Sequence, residues 1–337
     1  MNGINGEDKL RLNKSKGGDA ARDLDPDVKR FVDSISGTYG RYPGFATMSY
    51  PERRRVIEEI RAPWATGGPA MARTTEVTVP SRHGPVRLRI HDPKGEGALP
   101  ALIYIHGGGW TVFSLDTHDR LMREYAARAE VIVVGVDYAL SPEVKYPVAL
   151  EQIVDATRWL KDNGAQWNID TARLAMGGDS AGANLTVATA LTLRDAGEGD
   201  VISAMVLNYG AFDVETSEES RSRFGGPGYM LGSDEMDVFW DNYLRDDRDR
   251  ADPLVCPLRA RLEGLPPAFL VIPECDLLTE QSLIMAERLH AAGVSADARV
   301  YEGATHSFLE AVSIAEVADR AFADTADWLK KVMARSR

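Results

Sequence analysis

The chain has 337 residues, of which 44% are hydrophobic and 27% are charged, and its formal net charge is −12. This length and composition are typical of a globular protein that buries a large core without a disulfide or a metal to stabilise it. The acidic balance argues against a nucleic-acid partner, which would require a basic surface.

The sequence also limits the location of the protein and its cysteine chemistry. No run of about 18 apolar residues is present, so we expect no membrane span. The N-terminal residues are polar and lack the apolar segment of a secretory signal, which favours a cytoplasmic location. Cys256 and Cys275 do not have the spacing of a metal site and are interpreted as reduced thiols, although a disulfide between them stays open.

Residues 1–61 are expected to form a flexible N-terminus followed by two helices. The stretch DPDVKRFVDSIS places Val28, Phe31 and Val32 at helical spacing. In SYPERRRVIEEIRA, Ser49 is a candidate N-cap. Because no strand precedes these helices, we expect them to cover the remainder of the protein as a cap.

Strand and helix signals alternate from residue 74 onward. TEVTVP and VRLRIH alternate like the strands of a hairpin, with SRHGP as the turn. The later predicted strands are ALIYIH, VIVVGVD, RLAMGG, AMVLNY, AFLVIP and ARVYE, and helices are predicted near 118–129, 147–163, 179–196, 279–293 and 315–334. Short apolar strands between amphipathic helices predict an α/β fold whose mostly parallel sheet is flanked by helices on both faces.

Residues 213–247 interrupt this alternation. They are acidic, contain several glycines and end in a predicted helix with Phe239, Trp240 and Tyr243. Long excursions of this kind in a compact domain are usually lids or binding loops. We therefore expect the insertion to contribute to the cap.

The stretch GGDSAGAN lies between a predicted strand and a predicted helix, and residues 178–182 within it fit the pattern G-x-S-x-G. In this context the serine takes a strained turn that exposes its hydroxyl oxygen, and the glycines let the strand and the helix approach each other. The positive end of the helix dipole also points at the turn. Ser180 is therefore the predicted nucleophile.

A serine nucleophile needs a base and an acid that orients the base. His306, in EGATHSF, lies in a loop after the last predicted strand, where it could reach the serine, whereas His290 lies within a predicted helix and is interpreted as structural. Asp276 follows the strand AFLVIP and is the predicted acid. Glu274 and Glu280 are the alternatives, and Glu280 is expected to begin the next helix.

The motif HGGGW, residues 106–110, follows the strand ALIYIH. Consecutive glycines leave backbone N–H groups accessible, which suits a site that binds a developing oxyanion. Gly107 and Gly108 are the predicted donors, together with the amide of Ala181 at the start of the following helix. His106 is interpreted as a residue that holds the loop by hydrogen bonding and does not act as a base.

Together these motifs resemble the hormone-sensitive-lipase-like family of α/β-hydrolases, in its bacterial carboxylesterase branch. The resemblance covers about residues 75–333 and rests on HGGGW, VDYALSPE, GGDSAGAN, LPPAFLVIPECDLL and THSF. It implies an α/β-hydrolase fold, a Ser180–Asp276–His306 triad, a helical cap, and short- to medium-chain carboxylic esters as substrates. Residues 62–337 would be the catalytic domain, and no metal or organic cofactor is expected.

The sequence departs from the family pattern in two places. Ala139 and Ser141 stand in YALSPE, where the family often has Arg, Ala and Pro within the tyrosine motif. Leu277 follows the predicted acid, where the family commonly has proline. These departures concern loop geometry, and they remove no predicted catalytic residue.

Aromatic side chains near these loops are candidates for a substrate pocket. The first choices are Trp110, Tyr209, Phe212 and Phe308, and the further candidates are Phe113, Phe239 and Trp240. Large aromatic groups would shorten an acyl pocket, because added methylenes meet a rigid wall. Short acyl chains are therefore favoured.

Other interpretations of the same residues stay open. A lactone, thioester, aryl-formamide or carbamate hydrolase would use the same triad. A non-catalytic small-ligand receptor on this fold would be expected to lack a triad residue. A lipase acting on a lipid surface would need an exposed apolar lid, whereas the 213–247 insertion is acidic. The expected partner is a small-molecule ester, and similar proteins are commonly homodimers.

Overall fold

The computed structural model describes residues 24–335, and its centre is an eight-stranded sheet. The strands are β1 (Arg73–Val79), β2 (Val86–Asp92), β3 (Leu99–Ile105), β4 (Ile132–Asp137), β5 (Ile169–Asp179), β6 (Ala204–Asn208), β7 (Ala268–Pro273) and β8 (Ala296–Tyr301). They lie in the order β1-β2-β4-β3-β5-β6-β7-β8. Strand β2 is antiparallel to both of its neighbours, and the other neighbouring pairs are parallel. The predicted mostly parallel sheet is confirmed.

Helices cover this sheet. The α-helices are α1 (Pro26–Tyr39), α2 (Tyr50–Ala65), α3 (Asp119–Ala129), α4 (Val148–Asn163), α5 (Ala181–Asp195), α6 (Glu218–Phe224), α7 (Ser233–Tyr243), α8 (Thr279–Ala291) and α9 (Glu316–Arg335). Short 3-10 turns occupy Phe45–Thr47, Gly164–Trp167, Asp247–Ala251, Pro257–Arg259 and Phe308–Ser313. Between residues 24 and 335, no helix has the length and apolar character that a bilayer crossing needs.

The alternation of side chains along each strand builds a core on both faces of the sheet. In β3, Leu102 and Tyr104 lie in the apolar cluster that packs against α3 and α9. The intervening Ile103 and Ile105 lie in the cluster on the opposite face, with side chains of α4 and α5. Because successive side chains of a strand point to opposite faces, a continuous apolar run is what a doubly covered strand requires.

The two N-terminal helices begin at well-defined caps. The Asp25 carboxylate accepts hydrogen bonds from the amides of residues 27 and 28 at 2.9 and 3.2 Å, and Ser49 forms a capping box with Glu52 at the start of α2. Helix α2 runs through the expected boundary at residue 61 and ends at Ala65. Near its end, Trp64 packs edge-on against Phe31 of α1 at 4.7 Å between ring centres. The first part of the expected flexible N-terminus, residues 1–23, lies outside the described residues.

A buried ion pair ties α2 to the turn that follows β8. The Nη1 atom of Arg61 donates to both carboxylate oxygens of Glu310 at 2.9 and 2.8 Å, and the two side chains are only 5% and 7% exposed. The guanidinium also lies over the ring of Phe113 at 5.0 Å. Two buried charges of opposite sign compensate each other, so the loss of either one would leave the other unpaired.

We therefore expect Arg61→Leu to lower the free energy of unfolding by about 3–5 kcal/mol, because it strands the buried Glu310 carboxylate. Urea denaturation followed by circular dichroism would measure this. The control is Arg55→Leu on the same helix, whose partner Glu59 is exposed, with an expected cost of no more than about 1 kcal/mol. The double variant Arg61→Leu/Glu310→Leu should recover part of the loss. If Arg61→Leu and Arg55→Leu had the same free energy of unfolding, the proposed role of the buried ion pair would be contradicted.

Candidate active site

The serine of the G-x-S-x-G motif sits at a sharp turn between β5 and α5. Ser180 has φ 54° and ψ −119°, a conformation that costs a non-glycine residue energy and that the surrounding structure must enforce. Its amide donates to the carbonyl of Asn208 at 2.9 Å. A Cβ atom on Gly178 or Gly182 would overlap the carbonyl oxygen of Ile105, so both positions require glycine for β3 to approach the turn.

Three side chains from three separate loops form a hydrogen-bonded chain at this turn. The Nε2 atom of His306 lies 2.9 Å from the Oγ atom of Ser180, and its Nδ1 atom lies 2.7 Å from Oδ2 of Asp276. The other oxygen of Asp276 accepts the amide of Leu278 at 3.1 Å, which fixes the carboxylate. All three side chains are buried. The structure thus brings together the three residues that the sequence predicted as nucleophile, base and acid.

The electrostatics of His306 follow from its neighbours. Burial alone would lower the pKa of His306, but the charge and hydrogen bond of Asp276 outweigh burial, and the net pKa is raised. The ring of Tyr209 packs edge-on against the imidazole, with 5.0 Å between centres. These contacts hold the imidazole in one orientation between the serine and the aspartate.

The alternatives considered from the sequence lie elsewhere. His290 is exposed near the end of α8. A carboxylate oxygen of Glu274 accepts the amide of Gly303 at 3.0 Å. The carboxylate of Glu280 accepts a hydrogen bond from the hydroxyl of Ser220 at 3.2 Å.

The glycine loop differs from the sequence prediction in one donor. The amide of Gly107 donates to Oδ1 of Asp179 at 3.1 Å, so the prediction that it serves an oxyanion conflicts with the geometry. Within residues 24–335, the amides of Gly108, Gly109 and Ala181 have no hydrogen-bond acceptor. The available donors are therefore the second and third glycines of the motif and the first residue of α5. The aspartate beside the serine is the signal in the sequence that could have shown which glycine amide is taken. A buried carboxylate at that position needs hydrogen-bond donors, and the Gly107 amide is one of them.

Asp179 joins the serine turn to the glycine loop. Besides the amide of Gly107, its carboxylate accepts the hydroxyl of Tyr104 at 2.9 Å and lies 3.3 Å from Nε2 of His118. Burial alone would raise the pKa of Asp179, but the partners, His118 above all, lower it. The carboxylate is therefore charged, and it organises the loop without contacting the reacting groups of the turn.

His106 has a structural role, as expected. Burial lowers its pKa to about 3, so the imidazole is neutral at ordinary pH. Its Nδ1 atom lies 2.8 Å from the carbonyl oxygen of Gly107, and its ring stacks on Tyr138 with 4.4 Å between centres. The hydroxyl of Tyr138 in turn donates to the carbonyl of His106 at 2.9 Å. The first part of the loop is thus fixed by its own side chains.

A cavity of about 770 Å³ opens from this site toward α1, α2 and α7. Its lining includes Ser180, His306 and the following residues from the glycine loop, the overlying helices and the loop before α7: Gly108, Phe113, Ile35, Tyr39, Ile57, Arg61, Met230, Glu235, Val238 and Phe239. Mixed apolar walls with a few polar groups are typical of a small-molecule site.

The first-choice aromatic residues do not line this cavity. Trp110, Tyr209, Phe212 and Phe308 are fully buried in the core. The indole of Trp110 stacks on Tyr243 at 4.4 Å between ring centres and tilts against Trp240, also at 4.4 Å, so its side chain belongs to the core. Their assignment to substrate binding is therefore corrected.

Of the further aromatic candidates, Phe113 and Phe239 do line the cavity. A Cβ atom on Gly109 would overlap the ring of Phe239, so this ring rests directly on the glycine loop. The 213–247 insertion thus reaches the available amides through α7.

Comparison with known proteins shows which family the chain resembles. The α/β-hydrolase fold family matches residues 102–310. An esterase from the archaeon Pyrobaculum calidifontis is 33% identical, with 92% of this chain and 98% of that chain covered and a TM-score of 0.85. A thermostable carboxylesterase from a metagenomic library is 32% identical, with coverages of 86% and 99% and a TM-score of 0.81. A thermostable esterase from Pseudomonas putida is 28% identical, with coverages of 94% and 99% and a TM-score of 0.86.

The chain belongs to the α/β-hydrolase family. The resemblance to its hormone-sensitive-lipase-like branch, stated from the sequence motifs, is confirmed by these matches. In the part of the chain that the structure describes, no group of three or more His, Cys, Asp or Glu side chains could hold a metal ion.

The electrostatics of His306 make a testable prediction. We expect its imidazole to titrate above the ordinary value of 6.5, because the Asp276 charge stabilises the protonated form. In Asp276→Asn that charge is absent, burial dominates, and the pKa should fall below 6.5. Histidine side-chain NMR as a function of pH would measure both. Asp241→Asn, an exposed acid of α7, is the control and should leave the titration unchanged. An unshifted titration in Asp276→Asn would contradict the proposed coupling.

Proposed function

We propose that this protein is a serine carboxylesterase that hydrolyses short- to medium-chain carboxylic esters through an acyl-enzyme. The observation that carries the proposal is the chain of hydrogen bonds from Ser180 through His306 to Asp276, at 2.9 and 2.7 Å, beside available backbone amides. The esterases among the similar structures support the same chemistry. Nucleophile, base, orienting acid and oxyanion donors are the components that acyl transfer requires.

Acylation begins when the Oγ atom of Ser180 attacks the ester carbonyl carbon. His306 takes the hydroxyl proton on Nε2, while Asp276 holds the Nδ1 proton and stabilises the imidazolium. The carbonyl oxygen becomes an oxyanion, which the amides of Gly108, Gly109 and Ala181 stabilise by hydrogen bonds. The Nε2 proton then passes to the leaving alcohol oxygen, the C–O bond breaks, and the acyl group remains on the serine.

Deacylation repeats these steps with water. His306 removes a proton from the water, whose oxygen attacks the acyl carbonyl carbon, and the same amides hold the second oxyanion. Collapse of this intermediate breaks the bond to the Ser180 oxygen, which recovers its proton from His306. The products are a carboxylic acid and an alcohol, and the protein is regenerated.

The proposed cap consists of α1, α2 and the 213–247 insertion, above the catalytic domain. Support comes from the cavity, whose walls combine the serine turn with side chains of all three segments. The volume of about 770 Å³ is adequate for a small ester. Phe239 lines the cavity and lies against Gly109, beside the available amides, which is consistent with a preference for short acyl chains.

The proposal predicts that Ser180→Ala abolishes hydrolysis of p-nitrophenyl esters, because the nucleophile is lost. Loss of a triad nucleophile costs a factor of about 10⁶ in kcat. Release of p-nitrophenolate from an acetate-to-laurate series would measure the effect. The control is Ser36→Ala, which removes a different hydroxyl that lines the same cavity and should keep near wild-type activity. A wild type that is inert toward the whole series, or a Ser180→Ala variant that stays active, would refute the proposal.

A second prediction concerns chain length. Phe239→Ala should raise kcat/KM for p-nitrophenyl octanoate relative to acetate by about tenfold or more, because it enlarges the cavity beside the amides. Val238→Ala, the neighbouring lining residue of α7, is the matched control and should change the ratio less. An unchanged ratio of kcat/KM between octanoate and acetate in Phe239→Ala would show that this ring does not limit the length of the acyl chain.

A further inference from the structure

One guanidinium of the proposed cap contacts two loops below it. The Nε atom of Arg54, in α2, donates to the carbonyl of Thr111 at 2.8 Å. Its Nη2 atom donates to the carbonyl of Ser141 at 2.7 Å. Both terminal nitrogens also contact the carboxylate of Glu143, at 2.8 and 2.6 Å. Arg54 therefore joins α2, the end of the HGGGWT turn and the loop before α4.

The turn that presents the glycine amides is held through its carbonyl groups. Each of the four carbonyls from 108 to 111 accepts a hydrogen bond. The pairs are Gly108 with the amides of Thr111 and Val112 at 3.0 and 2.9 Å, Gly109 with the Thr111 hydroxyl at 2.9 Å, Trp110 with the Ser141 amide at 2.8 Å, and Thr111 with Arg54 at 2.8 Å. The first two carbonyls are held within the turn itself, the third by the loop before α4, and the last by α2 of the proposed cap.

The Arg54 contacts close a ring of hydrogen bonds. The amide of Ser141 holds the carbonyl of Trp110, and the carbonyl of the same serine is held by Arg54, which also holds the carbonyl of Thr111. Because a peptide unit is planar, fixing its carbonyl also fixes the direction of its N–H group. The ring thus fixes the peptide planes that carry the amides of Thr111 and Val112. Both of these amides donate to the carbonyl of Gly108, and the N–H group of Gly109 lies in the same peptide plane as that carbonyl.

We propose that Arg54 is a positioning residue for the esterase reaction, which sets the aim of the Gly109 amide through Thr111 and Ser141. The inference rests on the proposed function, since that function assigns the Gly109 amide to the oxyanion. An oxyanion hole works because its donors are already aimed at the place where charge develops. A misplacement of about 1 Å can cost on the order of a hundredfold in rate. Charged donors make the stronger hydrogen bonds, so the Arg54 contacts are suited to this task.

The competing interpretation is that Arg54 serves only in an ion pair with Glu143. The carboxylate of Glu143 is 48% exposed, and exposed ion pairs contribute little to stability. In this alternative, any loss of activity in an Arg54 variant comes from the lost contact with the Glu143 carboxylate. In our proposal, it comes from the lost contacts with the two carbonyls. Variants of the two partners therefore distinguish them.

The test compares Arg54→Met with Glu143→Ala. We expect Arg54→Met to lower kcat for p-nitrophenyl butyrate by about 10–100-fold with KM changed less than about threefold. Glu143→Ala keeps both carbonyl contacts and should retain kcat within about twofold. A trifluoromethyl ketone forms an adduct with the serine that carries an oxyanion. It should bind Arg54→Met more weakly than the wild type, by about the same factor as the fall in kcat/KM. Arg55→Ala, an exposed arginine of the same helix, is the matched control.

Arg54→Lys provides a second variant that keeps the positive charge beside Glu143. An ammonium group lacks the planar fork that holds two carbonyls at once, so its kcat should also fall, by about fivefold or more. If Arg54→Met is too unstable to assay, Arg54→Lys decides. The inference is overturned if the folded Arg54 variants have the same kcat as Arg55→Ala, or if only their KM changes. In that case the proposed function still stands, provided that the wild type hydrolyses the ester. A wild type inert toward esters overturns both.

Discussion

The rest of the site depends on the hydrogen bond between the buried carboxylate of Asp179 and the amide of Gly107. The carboxylate lies in the strained turn next to Ser180, and it binds the amide of Gly107 across the gap between β5 and β3. The serine turn and the glycine loop are therefore held at a fixed separation. Because Tyr104 and His118 also bind this carboxylate, its charge is compensated inside the core. The geometry needed for acyl transfer is thus set beneath the reacting groups.

The helices above the sheet contribute to the same geometry from the opposite side. Phe239 rests on Gly109, and Arg54 holds the carbonyl of Thr111, so two of the three segments of the proposed cap contact the loop that offers the amides. The buried pair of Arg61 and Glu310 adds a connection to the turn just after the histidine. A layer that only covered a pocket would not need such contacts. In the proposed function, these contacts couple the shape of the cavity to the alignment of the donors.

Sequence reasoning predicted the strands, most helices and the Ser180–Asp276–His306 grouping, because apolar periodicity and chain order carry that information. It missed α6, which is only seven residues long. It chose Gly107 as a donor, because a glycine run does not reveal which amide a neighbouring carboxylate will bind. It also chose Trp110 for the pocket from adjacency along the chain. The indole instead stacks on Tyr243 in the core, a packing contact that adjacency along the chain does not reveal.

The separation of the reacting residues along the chain has a consequence for biosynthesis. The hydrogen bond between Ser180 and His306 joins residues 126 positions apart, and the histidine follows the last strand of the sheet. A nascent chain therefore carries the serine well before it carries the base, and contacts between distant residues form late and slowly. Hydrolytic competence should appear only after β8 has docked, so a partly synthesised chain holds an inert serine.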